Sequence, residues 1–143
     1  MIYFDTSVLV ALLTNEASAP AIRDWYVRNS AKVLVTSDWA VTEFSSAIAL
    51  KVRTQQITTR QAKMVLGTFN DFVDGGIRLL AISRQAFHDA AERIQEMSGL
   101  RAGDALHLCV ATDAGVKEFA TLDNLLAAKA VELKMTLTDF NRA

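Results

Sequence analysis

The chain contains one cysteine, one proline, no long hydrophobic run and no surplus of either charge, and each shortage excludes something. With Cys109 alone, no disulfide can form within the chain. Its setting among Ala105, Leu106, Leu108, Val110 and Ala111 reads as that of a buried small hydrophobe. Pro20 is the only proline, and neither a low-complexity stretch nor an internal repeat is present, so nothing reads as a linker or a second domain. No apolar run approaches the roughly 20 residues that span a bilayer. Met1-Ile2-Tyr3-Phe4-Asp5 starts a strand without a basic, apolar and small-residue leader, so a reducing, cytoplasmic location is expected. Lysine and arginine total 15 against 16 acids, which is not the footprint of a protein that grips nucleic acid by bulk charge. A polyanionic partner would have to be met by local basic patches or by metal ions.

What is present is ample apolar material. The 143 residues are 51% hydrophobic and 22% charged, the proportions of one compact domain with a full core rather than of a disordered chain. Short β-prone runs at residues 2–4, 32–36, 77–82, 118–121 and 131–137 alternate with longer stretches of helical spacing, which indicates an α/β domain. Strands joined through helices lie parallel, because such a crossover returns the chain to the same end of the sheet. Ser18, Ser37, Thr58 with Gln61, and Ser83 are expected helix caps. Gly75-Gly76 and Gly115 mark helix ends.

The informative residues are acidic. Asp5 directly follows the first strand and precedes the helical run from Thr6 to Leu13, at the strand end where open parallel sheets bind ligands. An ordinary helix N-cap explains it equally well. Glu43 falls on one helical stripe with Ala40, Ala47 and Leu50, beside Val41, Phe44 and Ile48, so its carboxylate should face inward. Burying an unpaired charge costs several kcal/mol, so Glu43 calls for a cation, a hydrogen-bond network or a raised pKa. A salt bridge to an arginine is the plain alternative. Asp104 opens a helix that is apolar nearly all round from Ala102 to Ala111, with Gly103 just before it permitting close backbone approach or marking the helix start. The helix dipole favours its ionised form by only about 0.3 to 1 kcal/mol. Asp123 repeats the arrangement of Asp5, following a strand and preceding a helix. Two acids at strand ends and two at inward helix positions can converge on one edge of a parallel sheet, where like charges repel unless a metal neutralises them.

Hard carboxylate oxygens, no Cys-x-x-Cys and two histidines, His88 and His107, not spaced as a zinc pair, together indicate magnesium or manganese. Such an ion suits phosphodiester hydrolysis, in which it activates the attacking water, and a second ion can stabilise the departing oxygen.

Four segments together carry a family resemblance: Asp5-Thr6-Ser7 after the first strand, Glu43-Phe44, Arg101-Ala102-Gly103-Asp104-Ala105-Leu106-His107, and Thr121-Leu122-Asp123. The chain resembles the PIN-domain ribonucleases, specifically the VapC-type toxins, over essentially its whole length. The resemblance implies a single PIN domain over residues 1–143, an α/β fold in which a central parallel sheet of about five strands sits in a three-layer α/β/α sandwich. It further implies endonucleolytic RNA cleavage dependent on Mg2+ or Mn2+, inhibition by a cognate VapB-type antitoxin, and a homodimer. Carried over residue by residue, Asp5, Glu43, Asp104 and Asp123 become the catalytic, metal-binding acids. Asp5 and Asp104 are then the principal ligands, Glu43 and Asp123 act partly through water, and Ser7 is a supporting hydroxyl.

The remaining features have plain readings beside functional ones. Lys51, Arg53, Arg60 and Lys63 form either an RNA-backbone contact or a solvated helical face. Trp25, Tyr26 and Trp39 are either anchors for an antitoxin segment or core. Residues 58–74 carry more apolar side chains than one buried stripe needs, as a dimer face would. His107 lies one turn after Asp104, where it is either a core histidine or a site residue. Competing functions fit less well. A metal-dependent adhesion site of the form Asp-x-Ser-x-Ser would need serine where Leu9 stands, an Asp-x-Asp phosphatase would need an acid at Ser7, and a phosphoacceptor receiver domain wants an acidic pair.

Overall fold

Because successive side chains of a strand point to opposite faces, a parallel sheet must be covered on both, and this chain supplies helices for each side. The computed structural model describes residues 1–142. Five strands, β1 (Ile2–Phe4), β2 (Leu34–Ser37), β3 (Arg78–Leu80), β4 (Glu118–Ala120) and β5 (Thr136–Leu137), form one all-parallel sheet in the order β3-β2-β1-β4-β5. The helices are α1 (Thr6–Leu13), α2 (Ala19–Arg28), α3 (Trp39–Arg53), α4 (Thr59–Gly75), α5 (Arg84–Glu96), α6 (Ala102–Asp113) and α7 (Asn124–Glu132). Ile2, Phe4, Leu34 and Ala120 face a core built with Val8, Leu9, Ile22, Phe44, Ile48 and Phe69 of α1 to α4. Tyr3, Val35 and Phe119 face a second core with Ala90, Leu108 and Leu126 of α5 to α7. The result is the three-layer α/β/α sandwich expected from the strand and helix alternation.

Strand order also says where a ligand should bind. The chain leaves β1 towards β2 and β3 and later returns to add β4 and β5 on the other side, so the topological switch lies between β1 and β4. Phe4 pairs with Ala120 in register, which sets Asp5 beside Thr121 just beyond the sheet, and Asp5 N donates to the Ala120 carbonyl at 3.0 Å.

Local signals placed most helix boundaries and misplaced a few. Thr58 and Gln61 form a reciprocal capping box at the start of α4, and Ser83 Oγ accepts from Ala86 N at the start of α5. Ser37 is the last residue of β2 rather than a cap, and Asp38 takes the N-cap position of α3. The last expected strand begins five residues late: α7 continues through Val131 to Glu132, and Lys134 at φ 64° turns the chain into a two-residue β5. Helical hydrogen bonding of Leu133 N to Lys129 O outweighs the β-branched preference of Val131. Gly115, at φ 68°, ends α6 in the left-handed conformation that glycine adopts without steric cost. Of the aromatic residues, Trp25 packs edge-on against Phe140 with centroids 5.5 Å apart and Tyr26 against Phe72 at 6.0 Å, so both serve the core. In α4, Ala62 and Phe69 are buried and Val65, Leu66, Phe72 and Val73 pack partly against them, leaving Met64 exposed. Among the described residues no helix is long and apolar enough to cross a membrane.

Candidate active site

Asp5, Glu43, Asp104 and Asp123 lie far apart in the chain and line one open cleft of about 430 Å³ at the carboxyl edge of the sheet, together with Thr6, Ser7, Arg101 and His107. Each acid arrives by a different route. Asp5 is the N-cap of α1, and its Oδ1 accepts from Val8 N at 3.2 Å. Asp123 is the N-cap of α7, accepting from Leu126 N at 3.0 Å. The capping and functional readings of these two residues are therefore compatible, because a strand-end cap turns its carboxylate towards the sheet edge. Asp104 occupies the first turn of α6, from which every residue through Ala111 is buried.

Asp5 is the most constrained. Its side chain is almost wholly buried, Ser7 Oγ donates to Oδ1 at 2.6 Å, and Thr121 Oγ1 donates to Oδ2 at 2.5 Å. Ser7 Oγ in turn accepts from Leu122 N at 2.9 Å, so this hydroxyl ties the β1 exit to the β4 exit. Burial pushes the Asp5 carboxyl above the ordinary aspartate range, against the opposing effects of the His107 charge and of the Ser7, Thr121 and Val8 hydrogen bonds. Among the described residues Asp5 has no ion-pair partner. A buried carboxylate with every hydrogen bond satisfied and its pKa still raised is one that a cation would stabilise.

Glu43 stands at the edge of the α3 core face rather than within it. Ala40, Phe44 and Ile48 are the buried residues of that helix, whereas Val41 and Leu50 are exposed, so the stripe expected to carry Glu43 inward turns it towards α6 instead. Among the described residues no arginine pairs with it. His107 Nε2 lies 2.7 Å from Oε1 and Trp39 Nε1 donates to Oε2 at 3.1 Å. Burial alone would raise the Glu43 carboxyl, but the hydrogen bond and charge of His107, with further donation from Thr6 and Trp39, hold it at about 2. Gly103 makes this arrangement possible: a Cβ there would lie 2.6 Å from Glu43 Oε2 and 2.7 Å from Trp39 Nε1. The close backbone approach foreseen for Gly103 is thus real, and it is directed at Glu43.

Arg101 bridges the remaining acids. Its Nε is 3.4 Å from Asp104 Oδ2 and its Nη2 is 3.6 Å from Asp123 Oδ2, with 78% of the side chain exposed. Pairs this long and this exposed contribute little stability, so the guanidinium is loosely held. Among the described residues no three of His, Cys, Asp and Glu stand close enough to hold one ion together. The donor set fits a hard divalent cation in its chemistry, since four carboxylates line the cleft.

Trp39, Thr6, Thr121 and Arg101 were given no role at the site from the sequence, and Trp39, one turn before Glu43 on the same helix face, had a usable signal. His107, one turn after Asp104, is both buried and at the cleft, so its two readings hold together. Of the basic residues near α3 and α4, Lys51 pairs with Glu16 at 2.8 Å, and Arg53, Arg60 and Lys63 are exposed.

Residues 2–132 match the PIN domain family. No curated protein sequence matches the chain. Among solved structures, VapC20 of Mycobacterium tuberculosis, a toxin that cleaves the sarcin-ricin loop, superposes with a TM-score of 0.72 at 18% identity, covering 90% of this chain and 95% of that one. FitAcB of Neisseria gonorrhoeae gives 0.67 at 15% identity with both chains fully covered. VapBC2 of Rickettsia felis, bound to a DNA fragment from its promoter, gives 0.65 at 13% identity over 96% of this chain and 98% of that one.

Proposed function

Since the chain belongs to the PIN-domain family, we propose that it is a divalent-metal-dependent endoribonuclease and the toxin half of a VapBC-type pair. The observation that carries this reading is the convergence of Asp5, Glu43, Asp104 and Asp123 on one cleft at the switch point of the sheet. Structural likeness to VapC20 and to the FitAcB and VapBC2 assemblies supports the toxin assignment.

By the family resemblance, Asp5 and Asp104 would be the principal ligands for magnesium or manganese, and Glu43 and Asp123 would act partly through water. A cation so held supplies the charge that acidifies the attacking water and neutralises the phosphodiester. Ser7 and Thr121 fix the Asp5 rotamer by donating one hydrogen bond to each of its oxygens. Glu43, whose carboxyl the His107 contact holds well below the ordinary glutamate range, offers an acceptor that can orient a water molecule. Arg101 is long, exposed and weakly paired, so its guanidinium can turn from Asp104 and Asp123 to an RNA phosphate as the substrate enters. Net charge near zero suits such a division of labour, because the cation and one arginine, rather than a basic surface, meet the polyanion. A cognate VapB-type antitoxin, a homodimeric assembly and a cytoplasmic location complete the proposal.

Expression in a bacterial host tests it. The wild-type chain should arrest growth and Asp5→Asn should not; equal growth of the two strains with both proteins accumulating would remove the toxin assignment.

A further inference from the structure

We propose that Tyr3 and His107 form a buried positioning relay that holds the Glu43 carboxylate in its working orientation, which makes His107 a determinant of cation uptake and turnover. The inference rests on the nuclease reading of the same site. His107 is 1% exposed and is held on both ring nitrogens, with Nε2 2.7 Å from Glu43 Oε1 and Nδ1 2.7 Å from the Tyr3 hydroxyl. Tyr3 is itself immobilised, fully buried and stacked on Phe119 with ring centroids 5.2 Å apart and planes at 6°. It also meets the imidazole edge-on at 5.7 Å. The Tyr3 hydroxyl on Nδ1 and the surrounding core fix the ring orientation, so Nε2 is presented to Glu43 Oε1.

A purely structural account leaves this arrangement unexplained. His107 lies between Leu106 and Leu108 in the buried run from Ala105 to Ala111, whose other residues are apolar, and replacing both partners of a buried polar pair by apolar side chains is commonly neutral or stabilising. Instead, two helices converge on one glutamate rotamer: α6, with His107 as partner and Gly103 leaving the space that the carboxylate fills, and α3, with Trp39 donating to the other oxygen. Each oxygen thereby has its own fixed donor, as a group that must be presented in one orientation requires.

The test compares wild type with Tyr3→Phe, His107→Leu and His107→Gln, measuring Mn2+ affinity by titration calorimetry, kcat and KM on an RNA oligonucleotide, and thermal unfolding. Tyr3→Phe and His107→Leu should each lower Mn2+ affinity or kcat by about 10- to 100-fold while KM for RNA stays within about threefold. His107→Gln keeps a donor near the position of Nε2 and should recover most of the loss. If His107→Leu does not fold, Tyr3→Phe, which removes only a hydroxyl, carries the test. Folded variants with wild-type affinity and turnover would overturn the relay alone. Failure of the wild-type protein both to take up Mn2+ and to cut RNA would overturn the nuclease reading and the relay with it.

Discussion

Gly103→Ala separates a glycine that merely starts a helix from one that makes room for a carboxylate. Residue 103 lies within the first turn of α6, so exchanging glycine for alanine in a helix should stabilise by up to about 1 kcal/mol if nothing else changes. The added Cβ would, however, stand 2.6 Å from Glu43 Oε2 and 2.7 Å from Trp39 Nε1, both inside van der Waals contact. Overpacking of this kind costs about 1 to 3 kcal/mol. Relief by swinging Glu43 aside would sacrifice charge-assisted hydrogen bonds worth about 1.5 to 3 kcal/mol each. The balance is a net loss of about 0 to 2 kcal/mol, a fall in Tm of up to about 7 °C for a chain of this size. Cleavage should suffer more, by about 100-fold, because a displacement of about 1 Å at a catalytic carboxylate is enough for that. Thermal unfolding and RNA cleavage measured on the same preparation decide the matter. A raised Tm with undiminished cleavage would show that Gly103 only starts the helix.

Other consequences follow from the charges at the site. Glu43 is held at about 2 from an ordinary value of 4.5, so its contribution to stability is complete above pH 4.5 and is lost as pH falls towards 2. With a third of the side chain exposed, that contribution is on the order of 2 kcal/mol, and urea unfolding at pH 5 and pH 3 should show a smaller difference for Glu43→Gln than for wild type. An equal difference in both proteins would show that the His107 contact adds nothing. Arg101→Ala should tighten Mn2+ binding in the absence of RNA, since it removes a competing cation from Asp104 and Asp123, yet raise KM for RNA and flatten its salt dependence. Weaker Mn2+ binding in that variant would identify Arg101 as a support for the acids rather than a substitute for the ion.

Much of the fold was legible because its determinants are local. Strand-end acids followed by helical runs, the Thr58–Gln61 capping box and the unbroken apolar face around Leu108 each act within a few residues, and the structure places those elements accordingly. Val131 and Ser37 were misread for the same reason in reverse, since each has a local preference that the surrounding helix or strand overrides. The four acids could be named from pattern and resemblance, but their partners could not. Thr121 reaches Asp5 across 116 positions and His107 reaches Glu43 across 64, contacts that exist only once β1 lies beside β4 and α3 beside α6. The inward stripe assigned to Glu43 was right in consequence and inexact in geometry, because exposed Leu50 is not part of the buried face.

Purified protein incubated with RNA shows whether these carboxylates form a metal-dependent RNA-cleaving centre. Wild type should cut with Mg2+ or Mn2+ and stop when EDTA removes the ion. Asp104→Asn should not cut under any of these conditions while unfolding at the wild-type temperature or above, because it relieves repulsion among the acids. Cleavage that survives EDTA, or an Asp104→Asn protein as active as wild type, would contradict the account.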